Sequence, residues 1–100
     1  MSKLTDSQKK YLRTRAHTLK PVVTVGDKGV TPALLTELRA ALDHHELLKV
    51  SVRAGDREMR DEIIAELLEA SGASLITRVG NVATLFKTRP QDSRISLPGG

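Results

Sequence analysis

Near the end of its first quarter the chain must pass from strand to helix within a few residues, and that junction limits the folds open to it. Val22-Val23-Thr24-Val25 is a short β-branched apolar run that reads as a buried strand. Gly26-Asp27-Lys28-Gly29 follows, a G-x-x-G loop whose glycines tolerate tight or left-handed turns. Thr31 is then a side-chain N-cap, and Pro32 falls at the first helical position, where its fixed φ suits the helix and its missing N–H leaves nothing unpaired. A strand that feeds directly into a helix implies a crossover back to a sheet.

The rest of the chain repeats that alternation. Leu4, Gln8, Leu12, Ala16 and Leu19, with Tyr11 beside them, recur at three- and four-residue spacing and predict an amphipathic helix over about 5–18, capped by Thr5 or Asp6 and ended by Pro21. Leu34, Leu35, Leu38, Ala41 and Leu42 give the helix after Thr31 one apolar face, which closes near His44. Leu47 to Val52 reads as a strand with a wetter face at Lys49 and Ser51. Asp56 caps a third helix with the inner face Met59, Ile63, Ile64, Leu67 and Leu68, and Gly72 provides its left-handed exit. A strand around Ala73 to Val79, a turn at Gly80-Asn81 and a strand around Val82 to Lys87 complete a hairpin. The order is αβαβαββ. It defines an α/β fold of the two-layer α+β kind, with a four-stranded mixed sheet flanked by three helices and the hairpin at one side. A single domain over residues 1–90 is expected, with 91–100 as a tail that lacks periodicity.

Charge is distributed unevenly along this frame. The first thirty residues carry seven lysines and arginines against Asp6 and Asp27, residues 31–72 carry five against nine acidic groups, and the remainder carries four against Asp92. A surface polarised in this way suits a polyanion on one side, and its net charge of +4 favours a monomer. Tyr11 and Phe86 are the only aromatic residues, so stacking on bases has few candidates. There is no cysteine, which excludes a disulfide frame, a thiol nucleophile and a thiolate metal site. With no apolar leader and no run approaching the ~20 residues of a membrane span, a soluble cytoplasmic protein with no membrane partner is expected.

Two basic features stand out. Lys9, Arg13, His17 and Lys20 fall at spacings of four, four and three, with Lys10 adjacent, and form a ridge away from Leu12. If the first helix packs antiparallel to the strand that follows it, its start and middle return toward the loop, and ridge and loop share a surface. In the loop itself, Lys28 brings an ammonium to a phosphate while the amides around Gly29 and Val30 donate to it, and the helix N-terminus adds its positive end. Asp27 opposes this unless it points outward. The spacing fails the Walker A pattern, which has four residues between its glycines and a Lys-Ser/Thr after them. His44-His45-Glu46 lacks a fourth ligand and reads as helix termination. Asp56, Glu58, Asp61 and Glu62 read as a charged first turn. No nucleophile-base pair is legible, so neither an enzyme nor a bound metal or cofactor is expected.

The basic first helix, Leu19-Lys20-Pro21-Val22-Val23, Gly26-Asp27-Lys28-Gly29, His45-Glu46-Leu47-Leu48-Lys49-Val50 and Arg94-Ile95-Ser96-Leu97-Pro98 together resemble the CRM domain family, named for chloroplast RNA splicing and ribosome maturation, in its stand-alone bacterial YhbY-type form. The resemblance runs from about Leu4 to Pro98. It implies an RNA-binding domain similar in fold to the C-terminal domain of translation initiation factor three, and a part in maturing the large ribosomal subunit through its precursor RNA, on the pre-ribosomal particle. Carried onto this chain, it makes Gly26, Lys28 and Gly29 the loop contacts, with Asp27 departing from the neutral or basic character expected there. Lys9, Lys10, Arg13 and Lys20 become the adjoining basic surface. The alternative is a protein adaptor on the pre-ribosome that presents the acidic middle segment, with Glu37, Asp43, Glu62, Glu66 and Glu69, to a basic protein.

Overall fold

A computed structural model describes residues 4–88. Helix α1 (Asp6–Ala16) is followed by β1 (Pro21–Val25), α2 (Pro32–His45), β2 (Leu47–Val52), α3 (Arg57–Ser71), β3 (Ser74–Val79) and β4 (Val82–Phe86). The tail at 91–100, with Arg94 through Pro98, lies outside the described residues, as does Arg89.

Local chemistry sets most of these boundaries. Thr5 caps α1 in a capping box, its hydroxyl accepting from the Gln8 amide while the Gln8 side chain accepts from the Thr5 amide. Thr31 accepts from the Leu34 amide and Asp56 from the Met59 amide, so α2 and α3 begin where a short polar side chain replaces the missing carbonyl partner. Gly72 closes α3 at φ 76°. Helix α1, expected over about 5–18 with Pro21 ending it, stops at Ala16, and Pro21 instead opens β1, where it needs no amide on the sheet's outer edge.

The strands lie in the order β1-β2-β4-β3, with β1 and β2 parallel and the other two pairings antiparallel. The C-terminal hairpin thus contributes β4 to the centre and β3 to the far edge. One sheet face carries Val23, Val25, Leu48, Val50, Val52, Ala83 and Leu85, packed beneath Leu34, Leu38 and Leu42 of α2 and Ile63, Ile64 and Leu67 of α3. Arg78 ties β3 to α3 through an ion pair with Asp61. On the opposite face, α1 rests Leu12 and Ala16 on Leu47, Ile76 and Phe86, with Leu4 and Tyr11 partly buried beside them. Leu47 and Phe86 are cross-strand partners at the start of β2 and the end of β4, so α1 covers only that end of its face. A bulge between Leu75 and Thr77 admits Ile76 as an extra residue and turns it toward α1.

Two expected core residues are not in the core. Met59 is 50% exposed and Leu19 is 37% exposed. Met59 shares the phase of Ile63 and Leu67 but belongs to the first turn of α3, ahead of the stretch that meets the sheet, and Leu19 follows the end of α1, where helical phase no longer carries it to the stripe of Leu12 and Ala16. Glu46 is a third departure. This fully buried residue caps α2 at φ 64°, ψ −47°, a left-handed γ-turn geometry that non-glycine residues rarely adopt. Its backbone joins α2 to the sheet, the amide donating to Leu42 and the carbonyl accepting from Lys87.

Because the Thr31 cap fixes where α2 starts, and so where the loop before it ends, Thr31→Ala is expected to cost about 1 kcal/mol and lower the melting temperature by about 4–8 °C. A thermal melt followed by circular dichroism checks this.

Candidate nucleic-acid interface

Gly26 to Gly29 form a β-turn closed by the Gly29 amide donating to the Gly26 carbonyl at 3.0 Å. Within the turn only Gly29 takes positive φ, at 69°. Asp27 and Lys28 therefore keep negative φ, and the turn is of type I with its glycine after the corner. This revises the sequence reading in two respects: Gly26 is not in the left-handed region, and the Gly29 amide is used within the turn rather than left to receive a phosphate. The amides of Asp27, Lys28 and Val30 have no protein acceptor among the described residues. Asp27 and Lys28 are both exposed at the corner. A Cβ placed at Gly26 or Gly29 would meet nothing within 4 Å, so no packing inside the fold demands glycine at Gly26. What glycine provides there is a bare backbone on the outside, where another molecule can approach closely.

The loop sits at one end of the sheet. Since β1 runs parallel to β2, Gly26 follows Val25 where Arg53 follows Val52, and the Arg53 amide donates to the Val25 carbonyl at 2.8 Å. Asn81 comes to the same end, its carbonyl accepting from the Val52 amide. Arg53, Arg60, Gly55, Gly80 and Asn81 border a shallow depression there, and Arg60 also donates to the Gly55 carbonyl. Lys28 and the α2 N-terminus are thus joined by Arg53, which sequence reading missed. The signal for Arg53 was available: parallel pairing of the two apolar runs sets the residue after the second beside the residue after the first.

The basic ridge divides. Arg13, His17 and Lys20 border a groove between α1 and the uncovered part of the sheet, together with Lys49. Lys20 lies beyond the helix end, so it reaches the groove by the turn of the chain and not by helical phase. Lys9 is half-buried and Lys10 exposed, and neither borders the groove. The antiparallel return of the start of α1 toward the loop does not occur, because Leu12 anchors the helix at the Leu47–Phe86 end, away from Gly26. From Pro21 at the groove to Gly26 at the loop is five residues of extended chain, or about 16 Å.

Among the described residues, no group of three or more His, Asp or Glu side chains is placed to hold a metal, and no helix is long and apolar enough to cross a membrane. His44 and His45 meet edge to face, with ring centroids 4.6 Å apart in the last turn of α2.

A four-stranded mixed sheet flanked by three helices thus carries a glycine turn, Lys28 and Arg53 at one end. The CRS1/YhbY (CRM) domain model matches residues 4–87, and the chain belongs to that family. It is 37% identical over 98 residues to a Haemophilus influenzae protein named RNA-binding protein, covering 98% of each chain. It is 35% identical over 95 residues to the Bacillus subtilis chain named "Probable RNA-binding protein YqeI", covering 95% of this chain and 99% of that one. Its fold is similar to the solution structure of a hypothetical protein from Staphylococcus aureus, with a TM-score of 0.81, 28% identity and coverage of 96% of this chain and 100% of the other.

Proposed function

We propose that this chain is a non-enzymatic, cytoplasmic RNA-binding protein that grips the backbone of structured RNA, and that its target is precursor RNA of the large ribosomal subunit on the assembling particle. The observation that carries the reading is the Gly26–Gly29 turn: an open, glycine-flanked corner whose Asp27, Lys28 and Val30 amides meet no acceptor among the described residues, set before the N-terminus of a 14-residue helix and beside Lys28 and Arg53. Amides and a helix dipole favour phosphate oxygens, and the ammonium of Lys28 adds charge. The first turn of α2 contains no acidic residue to oppose this. The RNA-binding names of the relatives support the choice of polyanion.

Phosphate contacts of this kind provide affinity without reading sequence, and shape provides most of the selectivity. Lys28→Ala is therefore expected to weaken binding to unrelated RNAs alike and to reduce the magnitude of the slope of log K against log salt by about 1. Fluorescence titrations across a salt series measure it; an unchanged slope removes Lys28 from the interface. The assembly role is tested separately by sedimenting cell extract at low and high salt. Salt-sensitive migration with immature large subunits is expected, and confinement to the free protein pool at both salts rules the ribosomal target out.

A further inference from the structure

We infer a second RNA subsite, distinct from the glycine turn: the groove between α1 and the open sheet face takes an unpaired segment of RNA, its phosphates on Arg13, Lys20 and Lys49 and its sugars and bases over Val79 and Val82. The inference rests on RNA being the partner, as proposed above.

The groove measures about 510 Å³ and is bounded by α1, the chain leading to Pro21, and β2, β4 and β3, a size within the ~300–1,000 Å³ of clefts that take small organic molecules. Four of its bordering residues are Arg13, His17, Lys20 and Lys49, and no carboxylate is among them. Lys49 is the most telling. It stands on β2, an interior strand, with Pro21 and Thr84 as its cross-strand neighbours, and it is half-buried. A lysine is an unfavourable residue at the middle of a sheet face unless something anionic meets it, because part of its hydration is lost. Among the described residues it makes no ion pair, the only such pair being Arg78 with Asp61. Arg13 and Lys20 are likewise without carboxylate partners among the described residues.

The floor explains why the ligand is an unpaired strand. Val82 and Thr84 alternate with the core residues Ala83 and Leu85, and Val79, 74% exposed, extends the apolar surface to the sheet edge. Charge around an apolar floor matches a nucleotide, which carries phosphate on one side and a flat, poorly hydrated ring on the other. A duplex hides its rings and is too broad to enter. With Phe86 buried and Tyr11 occupied by packing against the sheet, aliphatic contact replaces aromatic stacking, so little base preference is expected. The groove and the turn are both reached from β1, and a strand leaving a helix held at the turn has about 16 Å to travel.

The test compares a short oligouridine with a blunt RNA hairpin by fluorescence anisotropy, using the wild type, Lys49→Gln, Val79→Asp and Lys28→Ala, each first checked for an unchanged melting transition. Lys49→Gln and Val79→Asp are expected to weaken oligouridine about tenfold and the hairpin by less than about twofold, while Lys28→Ala weakens both. The subsite is overturned if the groove variants leave oligouridine binding unchanged or weaken both RNAs equally. If Lys28→Ala changes nothing while the groove variants act as expected, the glycine turn fails and the groove stands. A self-association that Val79→Asp disperses, measured by sedimentation equilibrium, would instead assign the groove to a second copy of the chain and overturn its assignment to RNA.

Discussion

Leu12→Ala is expected to free α1 from the sheet while the remainder of the fold persists. Leu12 is fully inaccessible and, among the described residues, belongs to a cluster of five buried ones, separate from the larger core beneath α2 and α3. Removing a buried leucine's outer carbons costs about 2–5 kcal/mol, because both their transfer from water and the filled volume are lost. Helix α1 has 11 residues, and isolated helices shorter than ~12–15 residues are marginal in water, so it cannot hold its shape without the sheet. Native-state hydrogen exchange should reveal the asymmetry. Amides of α1 lose protection by that amount, whereas those of β2 and β4, whose other faces are covered by α2 and α3, retain most of theirs. Equal loss at all sites would mean that the two clusters unfold as one cooperative unit, and would end the idea of a separable helix. The functional consequence is specific: Arg13 and His17 leave the groove with α1, so oligouridine binding falls with the helix while hairpin binding at the turn remains.

What was legible in the sequence is what local chemistry encodes. Thr31 with Pro32, Asp56 and Gly72 mark helix ends by side-chain capping and backbone freedom, and the structure places them where those rules put them. The run Leu47–Val52 has its predicted bounds, and the αβαβαββ order follows from the alternation of periods. What was not legible depends on pairing between distant segments. Insertion of β4 between β2 and β3 places Thr84 beside Lys49, and parallel β1 and β2 set Arg53 next to the glycine turn. Neither neighbour is close in sequence. The choice of sheet face by α1 is equally non-local, since an apolar stripe on a helix states that it is covered but not by what. Glu46 was missed for a different reason: its left-handed backbone is imposed by the junction of α2 with β2 and β4, and not by a glycine or asparagine that would announce it.

Reversing Lys28 and Arg53 together is the substitution expected to reduce RNA affinity most. Both are exposed, so Lys28→Glu with Arg53→Glu should leave stability within about 0.5 kcal/mol per site. Two phosphate contacts are lost and two repulsions gained at the same end of the sheet, which predicts a fall of about 100-fold at low salt and a salt slope smaller in magnitude by about 2. The fall should shrink as salt rises, because screening weakens the new repulsions along with the remaining attractions. The matching control reverses the opposite sign elsewhere. Glu62, Glu66 and Glu69 lie exposed on α3, on the layer that packs against the other sheet face, and changing all three to lysine raises net charge without touching the turn. If RNA is gripped at the turn, that triple variant binds purified RNA at least as well as the wild type and still joins the particle. If instead the acidic helix carries an adaptor role, particle association is lost in the α3 variant and survives in the Lys28/Arg53 variant. The two outcomes are opposite in sign for the same pair of proteins, so one sedimentation experiment with both variants decides which face of this small fold meets the ribosome.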